Sequence, residues 1–199
     1  MRNTWVLKVY VALWGAWFRW GRLPVSRAFN CLRPRLKQAD FPTPPFETLK
    51  AFASWWSRHA RWVPDPLGGA LDVVASWEHA LWQLHRKGVF EDDCDGLAYV
   101  GAQFLRRIPG VDACYIVTLL LDPYEFPSFK TGVYKGAHVL CIFRYRNAWR
   151  VLSNDTLYPE SWPSFEDALR RNPFCEGHRI IWYEVRDADM RRLNQQRFV

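Results

Sequence analysis

Pro109-Gly110 splits this chain into two halves with different hydrophobic periods, which limits the fold more than any other feature. Before it, apolar residues recur at helical spacing: Leu49, Phe52, Trp56; Trp77, Leu81, Leu84; and Leu97, Ala98, Gly101, Leu105. After it come β-type runs, Ala113–Leu121, Ala137–Arg144, Trp149–Ser153 and His178–Val185. Helices first and antiparallel strands later predict an α+β fold. The expected helices cover 46–62, 75–86 and 94–107, with a short one over 164–171 that Ser164 caps. Residues 137–153 read as a hairpin around Tyr145-Arg146-Asn147-Ala148.

The charge is just as unevenly placed. The net charge is +7 over 199 residues. Residues 1–37 hold eight bases (Arg2, Lys8, Arg19, Arg22, Arg27, Arg33, Arg35, Lys37) and no acid. The other 162 residues therefore carry 19 bases against 20 acids. Within this arm the apolar run Val9–Phe18 is too short to span ~30 Å of hydrocarbon. On a helical projection, Lys8, Gly15, Arg19 and Arg22 form one narrow stripe on a surface otherwise almost wholly apolar. That pattern suits a helix lying on a membrane surface or docked on a partner; packing against its own domain and a secretory signal are the alternatives. Nucleic acid is compatible with the charge, but no motif supports it. Five prolines between 23 and 46 read as a linker, dividing the chain into a basic, Trp-rich arm over 1–45 and a folded domain over 46–199.

Five cysteines at irregular spacing, with no C-x-x-C, argue against a disulfide framework or zinc site and for a reducing compartment. No Gly-rich phosphate loop exists, and no cofactor or metal is expected. The chemistry concentrates at Asp93-Cys94-Asp95, where Asp92 or Asp93 can cap a helix that starts at the cysteine. A helix N-terminus favours a thiolate, whereas Glu91, Asp92, Asp93 and Asp95 oppose one. An imidazolium would offset them, and His138 opens a strand 44 residues later. A two-residue hairpin loop sets Asp155 opposite His138, and a three-residue loop sets Asn154 there. Ser153 is not expected to reach the ring unless a bulge intervenes.

These motifs, Asp93-Cys94-Asp95-x-x-Ala98, Gly136-x-His138-Val139 and Trp149 leading to Ser153-Asn154, resemble the transglutaminase-like cysteine peptidase superfamily, in particular its bacterial and phage-encoded members. Trp62-Val63-Pro64-Asp65 and Gly69-x-x-Asp72 also resemble the segment that precedes the nucleophile there. The resemblance covers about residues 60–156. It implies a papain-like α+β fold with the nucleophile helix on an antiparallel sheet, and a triad of Cys94, His138 and either Asn154 or Asp155. The implied activity is acyl transfer at peptide or carboxamide bonds: Cys94 attacks, His138 moves the proton, and the Cys94 backbone N–H helps hold the oxyanion. A catalytically silent member, such as a virion or envelope component that docks through the arm, is the alternative. The expected location is the cytoplasm or a virion, with contact to a membrane periphery also compatible.

Overall fold

A computed structural model describes residues 4–41, 46–64, 73–126 and 136–198. The expected segments at Asp65 and Gly69-x-x-Asp72, and most of the 122–135 loop, lie outside the described residues. The fold mixes helices with an antiparallel sheet, and Pro109-Gly110 does mark the change. Upstream lie α1 (Thr4–Ala16), α2 (Arg22–Leu32), α3 (Leu49–His59), α4 (Trp77–Lys87) and α5 (Cys94–Leu105). Two short strands, β1 (Ala60–Trp62) and β2 (Phe90–Asp92), pair in parallel beside them. Downstream run β3 (Val111–Leu121), β4 (Ala137–Tyr145), β5 (Ala148–Ser153), β6 (Thr156–Leu157), α6 (Phe165–Arg171), β7 (Ile180–Asp187) and β8 (Arg192–Arg197). The six downstream strands form one antiparallel sheet in the order β6-β5-β4-β3-β7-β8. The sequence does not announce β1, β2 or the edge strands β6 and β8, which are short or polar and carry no β-type alternation of their own.

Both faces of the sheet are buried. Successive side chains on a strand alternate between faces. Ile116, Val139, Cys141, Phe143 and Leu152 pack against α3, α4 and α5, with Leu97, Trp56 and Phe104 in the same core. Val117, Leu119, Leu140, Ile142 and Val151 point the other way, to Ala168 and Leu169 of α6. Gly101 lets α5 approach the sheet: a Cβ there would sit 2.3 Å from the Leu152 side chain.

The expected linker over 23–46 begins instead as a helix. A five-residue π-type turn, Trp17–Gly21, joins α1 directly to α2. Pro24 lies in the first turn of α2, directly after the π-type turn, and the helical path continues through it without the one backbone donor that proline lacks. The helical arm packs on the α5 face of the sheet through Leu7, Val11 and Phe18, which share a core with Leu120, Ile181 and Trp182. Phe18 stacks on Trp182, with ring centroids 5.6 Å apart.

Polar contacts lock this docking. Arg22 is 1 % exposed and Asp95 2 % exposed, with Nη1 to Oδ2 at 3.5 Å. Arg22 Nη2 donates to Thr118 Oγ1 at 3.0 Å, and the guanidinium lies over the Phe18 ring. From the sheet side, Arg186 Nη2 donates to the Phe18 carbonyl at 3.2 Å. A buried ion pair adds little net stability while intact, but removing one member strands a charge in low dielectric. Arg22→Ala should therefore lower stability by about 3 kcal/mol, read from the urea midpoint. Adding Asp95→Ala should recover part of that loss in a double-mutant cycle.

Candidate functional site

Asp93 caps α5. Its Oδ1 accepts from the N–H groups of Asp95, at 3.1 Å, and Gly96, at 3.5 Å. This starts the helix at Cys94 and leaves the thiol half-buried on the α5 side of the sheet, against the core of Leu97, Ala98 and Val139. The acids around it are each committed to other work. Glu91 bridges Arg61 at 3.2 Å and Lys87 at 3.1 Å. Asp95 faces Arg22. Asp92 is buried, and that burial, reinforced by the negative charge of Asp93, lifts its pKa to about 7. Its Oδ1 accepts from the Asp93 N–H, whereas Oδ2 is buried without a hydrogen-bond partner.

The hairpin takes the two-residue alternative. Tyr145 pairs with Ala148, and Arg146 and Asn147 both adopt positive φ, 49° and 66°. Those are the signs of a type I′ turn, formed without its favoured Asn-Gly sequence. Extending this register would place Asp155 opposite His138, but β5 ends first. Asn154 turns the chain at φ 53°, and Ser153 pairs with Thr156 across a second two-residue turn. Asp155 lies in that turn and accepts from Thr156 Oγ1 at 3.1 Å. Asn154, one residue out of phase with His138, offers its carbonyl to Trp56 Nε1 at 3.0 Å.

The partner of His138 is Ser153, with Nε2 and Oγ 2.9 Å apart. This corrects the expectation that Asn154 or Asp155 would hold the ring. A directly opposed residue shares a face with its partner, but so does the diagonal neighbour two residues along. Ser153 is that neighbour. The alternation that places it there is present in the sequence, since Ser153 and Asp155 share a face of the strand.

The same alternation keeps His138 away from Cys94. Ala137 and Val139 face the arm and α5, whereas His138 points with Leu140 and Ile142 toward α6. Its ring lies 4.3 Å, centroid to centroid, from Phe174, just beyond α6. The structure thus brings His138 and Ser153 together on one face and leaves Cys94 on the other. Burial alone drives the His138 pKa down to about 4. The imidazole is therefore neutral at pH 7 and lies in an apolar setting, not beside a thiolate. Gln103, too deep along α5 to be an oxyanion donor, donates instead to the Ala188 carbonyl and ties α5 to the end of β7.

No family model matches this chain, and no curated protein or solved structure does either.

Two buried groups should titrate with opposite effects on stability. His138 has a folded pKa near 4 against 6.5 when exposed, so the unfolded chain takes up this proton first. Its contribution is complete above about pH 6.5 and is lost as pH falls toward 4, about 3 kcal/mol in full. His138→Gln, which keeps a hydrogen-bonding group for Ser153, should remove that pH dependence from urea-unfolding midpoints. Asp92 runs the other way, because the folded chain holds its proton up to about pH 7. Its contribution is present below about pH 4 and is lost as pH rises through 7. Asp92→Asn should therefore stabilise the protein by about 4 kcal/mol at pH 8 and change little at pH 4.

Proposed function

We propose that this chain is a catalytically silent interaction protein built on a transglutaminase-like α+β scaffold, and that its N-terminal arm docks on an anionic membrane surface. The observation that carries this reading is the outer face of the arm. Trp5 is 71 % exposed, Leu13 68 % and Trp20 67 %, with Val9 and Ala16 completing a stripe at helical spacing. This stripe lies opposite the buried line of Leu7, Val11 and Phe18. Lys8 and Arg19 run along its flank, and Arg27 continues it. The predicted basic stripe thus sits at the boundary between two apolar faces: Gly15 and Arg22 lie on its buried side, Lys8 and Arg19 on its exposed side.

Exposed Trp and Leu flanked by cations match the chemistry of a lipid interface, where apolar side chains enter the acyl boundary and bases meet anionic headgroups. A nucleic acid would use the cations but has no place for Leu13, Val9 or the exposed Leu32. No helix among the described residues is long and apolar enough to cross a membrane, so the contact proposed is interfacial.

The full chain should float with vesicles containing a third phosphatidylserine and not with neutral phosphatidylcholine vesicles. Leu13→Asp with Trp20→Ser should weaken that binding at least tenfold while leaving circular dichroism unchanged, because neither side chain lies in the buried core. Equal binding to neutral vesicles, or binding that the double variant leaves intact, would sink the membrane reading.

Thiol-based acyl transfer by Cys94 and His138 is the competing function. It needs the imidazole on the α5 face, which a one-residue shift of β4 would produce at the expense of every core contact that strand makes. Iodoacetamide labelling separates the two readings. The silent scaffold predicts that His138→Gln leaves the pH profile of Cys94 labelling unchanged. Rapid labelling below neutral pH that disappears in His138→Gln would establish the activated pair instead.

A further inference from the structure

The β4–β5 turn, the first turn of α3 and the segment after β6 enclose an open groove of about 510 Å³, on the α5 face of the sheet. Lys50, Arg146 and Arg150 line it, and no carboxylate does so among the described residues. None of the three forms an ion pair there among the described residues. Arg146 lies over the Tyr145 ring at 5.1 Å, and Arg150 Nη1 donates to the Pro159 carbonyl at 3.3 Å. Arg150 Nε is buried with no hydrogen-bond partner.

Three like charges gathered in one groove repel one another. The helix beside them makes matters worse, because Lys50 stands in the first turn of α3 and no acid stands there to balance it. Cations are unfavourable at that end, where the helix dipole is positive. Thr48 caps the turn by accepting from the Ala51 N–H. An anion in the groove would relieve this arrangement at several points: it would meet three cations and the positive end of α3. The remaining lining is flat and apolar, with Tyr145, Tyr158 and Leu157. The volume falls within the usual range for small-molecule sites, ~300–1,000 Å³.

We propose that this groove binds a phosphate ester whose phosphate is joined through a sugar to a planar base, as in a nucleoside monophosphate. The phosphate meets Lys50, Arg146 and Arg150, and the base lies against the tyrosines and Leu157. The groove is distinct from the Cys94 and His138 positions and from the outer face of the arm, so this inference stands independently of the membrane reading.

Calorimetric titration of the full chain with AMP, adenosine and inorganic phosphate tests it. AMP should bind saturably with a submillimolar Kd, and adenosine and phosphate each at least tenfold more weakly. Lys50→Gln with Arg146→Asn should weaken AMP at least tenfold. Asn suits the positive φ at position 146, and Lys50 is exposed, so the variant should keep the parent's circular dichroism and urea midpoint. Three results would each overturn the proposal: no saturable AMP binding up to millimolar concentration, equal affinity for AMP and adenosine, or undiminished AMP binding by the folded double variant. Equal affinity for AMP and inorganic phosphate would remove the planar base from the site's specificity and overturn the proposal as well.

Discussion

The alternation of side chains along β4 governs most of this structure. Val139, Cys141 and Phe143 anchor α5 on one side, while His138, Leu140 and Ile142 build the α6 core on the other. Both faces are buried, so the register cannot slip without exposing one core and burying polar groups in the other. Every chemical property of the candidate site follows from that constraint. His138 is neutral because it points into an apolar layer. Ser153 is its partner because it is the diagonal neighbour on that layer. Cys94 sits across the sheet because α5 packs on the opposite side.

The acidic motif at the start of α5 acquires a structural meaning in this setting. Asp93 satisfies helix N–H groups, and Asp95 receives the arginine that the arm inserts beneath the sheet face. The arm is therefore attached by residues of the very motif that resembles a nucleophile site. Arg22 and Phe18 come from a segment whose composition reads as a separate basic extension, yet both are buried. Phe18 lies within the π-type turn and Arg22 follows it at the start of α2; four positions apart, the two side chains share the face on which Arg22 meets Thr118 and Asp95.

The arm ends up with two apolar faces doing different jobs. The inner one is consumed by Trp182 and Leu120; the outer one is left to solvent with bases at its flank. A helix that is apolar almost all round is ordinarily buried all round. Here burial is one-sided, which is why the outer face carries the functional reading. The basic groove at the far end of the sheet is a different kind of feature. Its residues come from α3 and from the β4–β5 hairpin, nearly a hundred positions apart, and neither stretch is conspicuous alone.

The sequence by itself determined the class of the fold, most helix positions, an acidic cap at Asp92 or Asp93, the hairpin and the concentration of charge in the arm. These depend on local propensity and on periods of 3.6 and 2, which neighbouring residues set among themselves. Turn chemistry was only partly legible, because Arg146-Asn147 forms its turn without the usual glycine, and the turn at Asn154 ends β5 before Asp155 can pair. Tertiary structure alone decided which face of the sheet each helix covers, that Arg22 belongs to Asp95, that Ser153 rather than Asn154 or Asp155 meets His138, and that Cys94 and His138 stay apart. Alternation tells which residues share a face, but not which layer will pack on it; that choice is made by the whole core at once.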